Sequence, residues 1–131
     1  MAKPAMILVV EDERLWRNRL KKYLESEDYI VETAVSYGEA LRRLRHSFFD
    51  LTVIDLALGP GEENLDGMEL LDDASHRQIP AIVVTGRGTI ELARRAYEDC
   101  GVIGFIEKAS FERERFISIV REALTSSLRA A

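Results

Sequence analysis

Three apolar segments of this chain end abruptly in charge. Met6-Ile7-Leu8-Val9-Val10 runs into Glu11-Asp12, Leu51-Thr52-Val53-Ile54 ends at Asp55, and Val102 to Ile106, interrupted by Gly104, ends at Glu107-Lys108. Short, nearly continuous apolar runs are the pattern of strands covered on both faces, as in a parallel sheet. In an open parallel sheet, ligands bind at the carboxyl ends of the strands. Three acids and one lysine meeting there make an acidic pocket with one fixed cation. Such a pocket suits a divalent metal and a phosphoryl group.

Strand and helix alternate five times along the sequence. Strands are expected at about Ala5–Val10, Tyr29–Ala34, Asp50–Asp55, Ala81–Thr85 and Val102–Glu107. The first helix, over Glu13–Glu27, carries an apolar stripe of Trp16, Leu20, Tyr23 and Leu24. The second follows Ser36, an N-cap with Glu39 at capping-box spacing, and turns Tyr37, Ala40, Leu41 and Leu44 inward. A Gly-rich polar loop, Leu58 to Gly67, leads to a third helix at about Met68–His76. Thr89 caps the fourth, whose expected inward face is Ile90, Ala93, Ala96, Tyr97 and Cys100, with Gly101 as its C′ residue. Ser110 is the expected cap of the fifth, with Phe116, Ile117, Val120, Leu124 and Leu128 inside. This alternation implies right-handed crossovers and a doubly wound α/β sandwich. The 131 residues are expected to form a single domain with its core at about 5–126.

Composition narrows the function classes. Eighteen Lys and Arg against 23 Asp and Glu give a net charge of −5, which argues against nucleic-acid binding by this surface. One cysteine, Cys100, permits no internal disulfide and fits a reducing compartment. The sequence has no membrane-length apolar run, and no signal-peptide core precedes the first strand. A cytoplasmic location is therefore expected.

The chemistry follows from the charges. Adjacent acids at a strand end repel, and a bound cation removes the penalty. Asp12 and Asp55 are the best direct Mg²⁺ ligands, with Glu11 acting through a bridging water and Ala57 offering its backbone carbonyl. Asp55 can also serve as a nucleophile toward a phosphoryl group, giving an aspartyl phosphate. Mg²⁺ and Lys108 would neutralise the charge on the transferring oxygens, and Thr85 would hydrogen-bond one of them.

In order along the chain, Glu11-Asp12, Asp55, Thr85-Gly86 and Phe105-Ile106-Glu107-Lys108 resemble the receiver domain of two-component response regulators. The resemblance covers essentially the whole chain. It implies a flavodoxin-like, doubly wound five-stranded parallel sheet of order 2-1-3-4-5, with five helices on two faces. It implies that a histidine kinase or histidine phosphotransfer protein donates a phosphoryl group to Asp55 with Mg²⁺ bound. Thr85 then shifts toward the phosphoryl group and Phe105 rotates inward. The face built from helix four, strand five and helix five is read by an effector protein or output domain. The chain would be a signalling switch rather than an enzyme, limited to self-catalysed phosphotransfer and autodephosphorylation.

Departures from the family pattern leave several questions open. The family's Lys-Pro with a cis bond is Lys108-Ala109 here, so either that bond is strained or the loop takes another path and aims Lys108 differently. The loop after Asp55 is longer than usual and holds Glu62, Glu63 and Asp66, a solvated acidic loop rather than a second cation site. Arg87, two residues after Thr85, is expected to tune phosphoryl lifetime together with Ala57. Ile103 stands where an acid often supports receiver dimerisation, which weakens the case for a salt-bridged homodimer without closing it. His46, His76 and the basic runs of helices two and four are read as surface residues, and Trp16 as core. A haloacid-dehalogenase-type phosphatase is disfavoured because Ala57 stands where that class needs a second aspartate. A non-phosphorylated pseudo-receiver acting as an interaction scaffold remains the alternative.

Overall fold

The computed structural model describes residues 3–61 and 64–130, with side chains described through residue 126. Five strands, β1 (Met6–Val10), β2 (Ile30–Ala34), β3 (Leu51–Ile54), β4 (Ala81–Thr85) and β5 (Gly104–Glu107), form one sheet. Its order is β2-β1-β3-β4-β5 and every pairing is parallel. Five α-helices connect and follow the strands: α1 (Arg14–Glu25), α2 (Tyr37–His46), α3 (Asp66–His76), α4 (Ile90–Cys100) and α5 (Arg113–Ala130). The expected doubly wound topology and strand order are both present. No helix among the described residues is long and apolar enough to cross a membrane.

Period-two alternation within each strand divides the core. Ile7 and Val9, Leu51 and Val53, and Ile82 and Val84 pack against Leu20 and Leu24 of α1 and Phe116, Ile117 and Val120 of α5. Leu8 and Val10, Ile54, and Ala81 and Val83 face the opposite way. They pack on Ala40 and Leu44 of α2, Leu70, Leu71 and Ala74 of α3, and Ala96 and Cys100 of α4. Two helices cover one face of the sheet and three cover the other. Thr52, fully buried inside β3, donates its hydroxyl to the Leu8 carbonyl at 3.0 Å, so its polar atom is satisfied within the core.

The expected punctuation is mostly in place. Ser36 Oγ accepts from the Glu39 amide, Thr89 Oγ1 accepts from the Leu92 amide, and Gly101 ends α4 in the left-handed region at φ 64°. Four expectations need correction. Ser110 does not cap α5: it closes a 3₁₀ turn over Lys108–Ser110, and α5 begins three residues later at Arg113. Ile90 and Tyr97 are 92% and 47% exposed, because the buried line of α4 runs through Leu92, Ala96 and Cys100. α3 starts at Asp66, inside the expected loop. Trp16 is only half-buried, at the rim of the α1–α5 layer rather than in the core. Glu62 and Glu63, and the side chain of Leu128, lie outside the described residues.

Candidate functional site

β1, β3, β4 and β5 each deliver one element to the same end of the sheet. Glu11 and Asp12 follow β1, Asp55 follows β3, Thr85 ends β4, and Lys108 follows β5. Register brings them together: Val10 lies beside Ile54, and the Asp55 amide donates to the Val10 carbonyl at 3.0 Å. Residues separated by up to 97 positions thus meet because their strands are neighbours.

Asp55 is almost fully buried and both of its carboxylate oxygens are engaged. Oδ1 accepts the Thr85 hydroxyl at 2.7 Å and the Ala57 amide at 3.2 Å. Oδ2 accepts Lys108 Nζ at 2.9 Å. Lys108 Nζ also lies 2.6 Å from Glu11 Oε1, an ion contact that leaves Glu11 Oε1 without a well-directed hydrogen bond. Exposed Glu13 stands farther off, 3.6 Å from the same ammonium.

Suitable ligand oxygens of Glu11, Asp12 and Asp55 all lie within 4.8 Å of one another. Glu11 is buried and Asp12 is exposed. Burial, and then the charge of Asp55, push the Glu11 carboxyl up to about 8 despite the pull of Lys108 in the other direction. Burial works against the charge on Lys108, but its contacts with Glu11 and Asp55 outweigh it and raise the lysine above its ordinary value. A buried acid whose Oε1 has no hydrogen-bond partner, beside two further carboxylates, is a donor set short of positive charge, and a divalent cation fits it.

The rim closes over these groups. A cleft of about 250 Å³ is lined by Asp12, Asp55, Ala57, Gly59, Arg87 and Lys108, together with Glu13 and Gly86. Arg87 donates its backbone amide to Thr85 Oγ1 at 3.1 Å and its Nη2 to the Gly61 carbonyl at 3.0 Å. It therefore ties the β4–α4 connection to the loop after β3, which places the expected tuning residue on the cleft wall. Phe105 is half-buried on β5 and packs against the α2–α3–α4 side of the core. Ile103, expected as either surface or core, is 38% exposed. The described residues contain no cis peptide bond, so Lys108–Ala109 is trans; the loop takes the alternative path, yet Lys108 still reaches the site.

Three contributors escaped the sequence reading. Arg17 Nη1 donates to the carbonyls of Glu11 and Asp12 at 3.1 and 3.3 Å, bracing the turn that presents both acids. Gly67 lies directly under the Asp55 backbone. Trp16 places its ring beside Lys108, with Nζ 5.3 Å from the ring centroid. Only Arg17 had a local signal, its position one turn into the helix that follows the acids.

Comparison with known proteins agrees with this geometry. The family model for the response regulator receiver domain matches residues 7–121. The transcriptional regulatory protein GlrR of Escherichia coli is 33% identical over 130 residues, covering 98% of this chain and 28% of that protein. The nitrogen assimilation regulatory protein NtrX of Azorhizobium caulinodans is 34% identical over 120 residues, covering 90% of this chain and 26% of that protein. This chain thus spans about a quarter of the length of these curated relatives. Among solved structures, a CheY-like receiver domain protein from Methanospirillum hungatei superposes with a TM-score of 0.87 at 27% identity, covering 98% of this chain and all of that one. The receiver domain of NtrX from Brucella abortus gives 0.79 at 31% identity, over 91% of this chain and 98% of that one. The chain belongs to the response regulator receiver domain family of two-component signalling.

Proposed function

We propose that this domain is a working phosphorylation switch with Asp55 as the acceptor. The observation that carries the proposal is the Asp55 carboxylate held between the Thr85 hydroxyl and the Lys108 ammonium at the floor of an acidic cleft. A phosphohistidine on a kinase or phosphotransfer protein presents its phosphoryl group at that cleft. An Asp55 oxygen attacks phosphorus, the P–O bond forms, the P–N bond breaks, and the imidazole leaves with a proton. Lys108 meets the negative charge on the phosphoryl oxygens, and the Thr85 hydroxyl passes from Asp55 Oδ1 to one of them. Hydrolysis later returns free Asp55 and inorganic phosphate.

Asp12, Asp55 and the Ala57 carbonyl would hold Mg²⁺, with Glu11 acting through water. The metal, when bound, supplies positive charge to the phosphoryl oxygens. Beyond the cleft, the Thr85 movement reaches β5 through its register partner Glu107 and lets Phe105 turn inward, biasing the α4–β5–α5 face. An effector protein or an attached output domain reads that face.

The test is intact-mass measurement after incubation with acetyl phosphate or phosphoramidate. Wild type with Mg²⁺ is expected to gain about 80 Da, one phosphoryl group. Asp55→Asn, and wild type without the metal, should gain nothing. Absence of label in wild type, even when a cognate phosphohistidine protein is supplied, would leave the interaction-scaffold reading in its place.

A further inference from the structure

The segment that carries Lys108 is lightly held by its own backbone. Lys108–Ser110 is a single 3₁₀ turn closed by one long bond, Phe111 N–H to the Lys108 carbonyl at 3.3 Å. Ala109 and Ser110 are exposed and bury no side chain. A lysine with four rotatable bonds on such a turn needs an outside constraint to keep its ammonium in one place. The indole of Trp16 lies beside Lys108 at the start of the turn and meets Phe111, the residue after it; the ring also carries the Arg19 guanidinium, 4.8 Å from its centroid. Lys108 Nζ lies 5.3 Å from its centroid, and the Phe111 ring meets it edge-on at 5.2 Å and 81°. Phe111 is anchored in turn by Tyr23, nearly parallel at 6.1 Å, and by Phe116 at 5.4 Å in the α1–α5 core.

We propose that Trp16 is a positioning residue for Lys108: its ring clamps the Lys108–Phe111 turn against α1 and holds the ammonium between Glu11 and Asp55. A cation is attracted to the face of an indole, most strongly where water is partly excluded, and the Lys108 side chain is only 10% exposed. The indole gives that attraction without a carboxylate's negative charge. It therefore steadies the lysine without competing with Asp55 for it. The acids of the pocket draw the ammonium inward, and Trp16 limits where it can go. The inference rests on the phosphorylation reading for its consequence, but not for the placement of Lys108 itself.

The experiment therefore has two arms, run on wild type, Trp16→Leu, Trp16→Phe and Tyr23→Leu, with folding checked by thermal unfolding. The first measures acylation of Lys108 by an amine-directed reagent at fixed pH, read by peptide mass, with Lys21 and Lys22 as internal standards. Loss of the ring is expected to speed Lys108 acylation by about 3- to 10-fold in Trp16→Leu. Trp16→Phe should recover part of the protection. Tyr23→Leu removes only the outer anchor of Phe111 and leaves the indole beside Lys108, so it should speed acylation much less than Trp16→Leu does. The second arm measures the initial rate of Mg²⁺-dependent labelling by phosphoramidate, expected to fall in Trp16→Leu by a similar factor. Equal acylation of wild type and Trp16→Leu would overturn the proposal. So would equal loosening by Tyr23→Leu, or a freed Lys108 with labelling unchanged. If wild type takes no label, the phosphorylation reading fails, while the acylation arm still decides the placement of Lys108.

Discussion

A methyl group on Gly67 would sit 2.2 Å from the backbone oxygen of Asp55 and 2.5 Å from the Cα of Leu56. The first turn of α3 is thus pressed against the strand end that presents Asp55, and the Gly67 amide donates to the Leu56 carbonyl at 2.9 Å. No rotamer change relieves such a contact, because both neighbours are main chain.

Gly67→Ala is therefore expected to destabilise the domain by about 3 kcal/mol, at the upper end of overpacking costs, and to displace Asp55. Gly38, exposed on α2 with nothing nearer than 3.9 Å to a new methyl, supplies the matched control. Gly38→Ala should be neutral or stabilising by roughly 0.5–1 kcal/mol. Urea midpoints of the two variants, with m-values, check this; equal midpoints would refute it.

Glu11 gives the metal-free protein a pH dependence of definite sign. Its carboxyl titrates near 8 in the folded chain against an ordinary value of 4.5, so between those values the folded state keeps a proton that the unfolded chain has lost. The stability this confers is fully present below about 4.5 and is lost as pH rises through about 8. The slope is at most about 1.4 kcal/mol per pH unit. Subtracting the urea stability of Glu11→Gln from that of wild type, at pH 5 to 9 without divalent metal, isolates this contribution. A difference that rises with pH would contradict the placement of Glu11. Saturating Mg²⁺ should flatten the dependence.

Arg87 spans the cleft from Thr85 to Gly61. With its side chain removed, water reaches the phosphoryl group more freely. Arg87→Ala should shorten the lifetime of phosphorylated Asp55 by roughly three- to tenfold, the worth of about one hydrogen bond. Decay of the phosphorylated mass after removal of the donor measures this, and an unchanged half-life would rule out shielding.

Thr85 is fully buried, and its hydroxyl both donates to Asp55 and accepts from the Arg87 amide. Thr85→Ala leaves that amide without its partner and removes one donor from Asp55. A stability loss of about 1–3 kcal/mol is expected, largely restored by Thr85→Ser. Thermal unfolding of the pair distinguishes the lost hydroxyl from the lost methyl.

Local pattern made the strands and the charged cluster at their ends legible, because each charge directly follows an apolar run and parallel strands end together. Caps were legible where one side chain answers one amide, as at Ser36 and Thr89. Burial of α4 was misread because Ile90 and Tyr97 match its period, while Leu92, Ala96 and Cys100 match it equally well; packing on α3 and β5 chose between the two stripes. Ser110 looked like a cap, but the chain spends those residues on a separate turn. The closeness of Trp16 to Lys108 arises only after the sheet assembles, so no window of sequence contains it, whereas Gly67 returns to Asp55 across a nearby loop whose path no local pattern dictates.

The order β2-β1-β3-β4-β5 has a last consequence. Position 11 meets position 55 when the first and third strands pair, position 85 joins with the fourth, and the ammonium of 108 arrives only with the edge strand β5. The first three strands in sequence supply the acids of the cluster, and its ammonium comes from the residue after the fifth. On the phosphorylation reading, acceptor chemistry therefore depends on the edge strand as much as on the aspartate itself: a sheet without β5 would hold the acids and lack the ammonium that faces them.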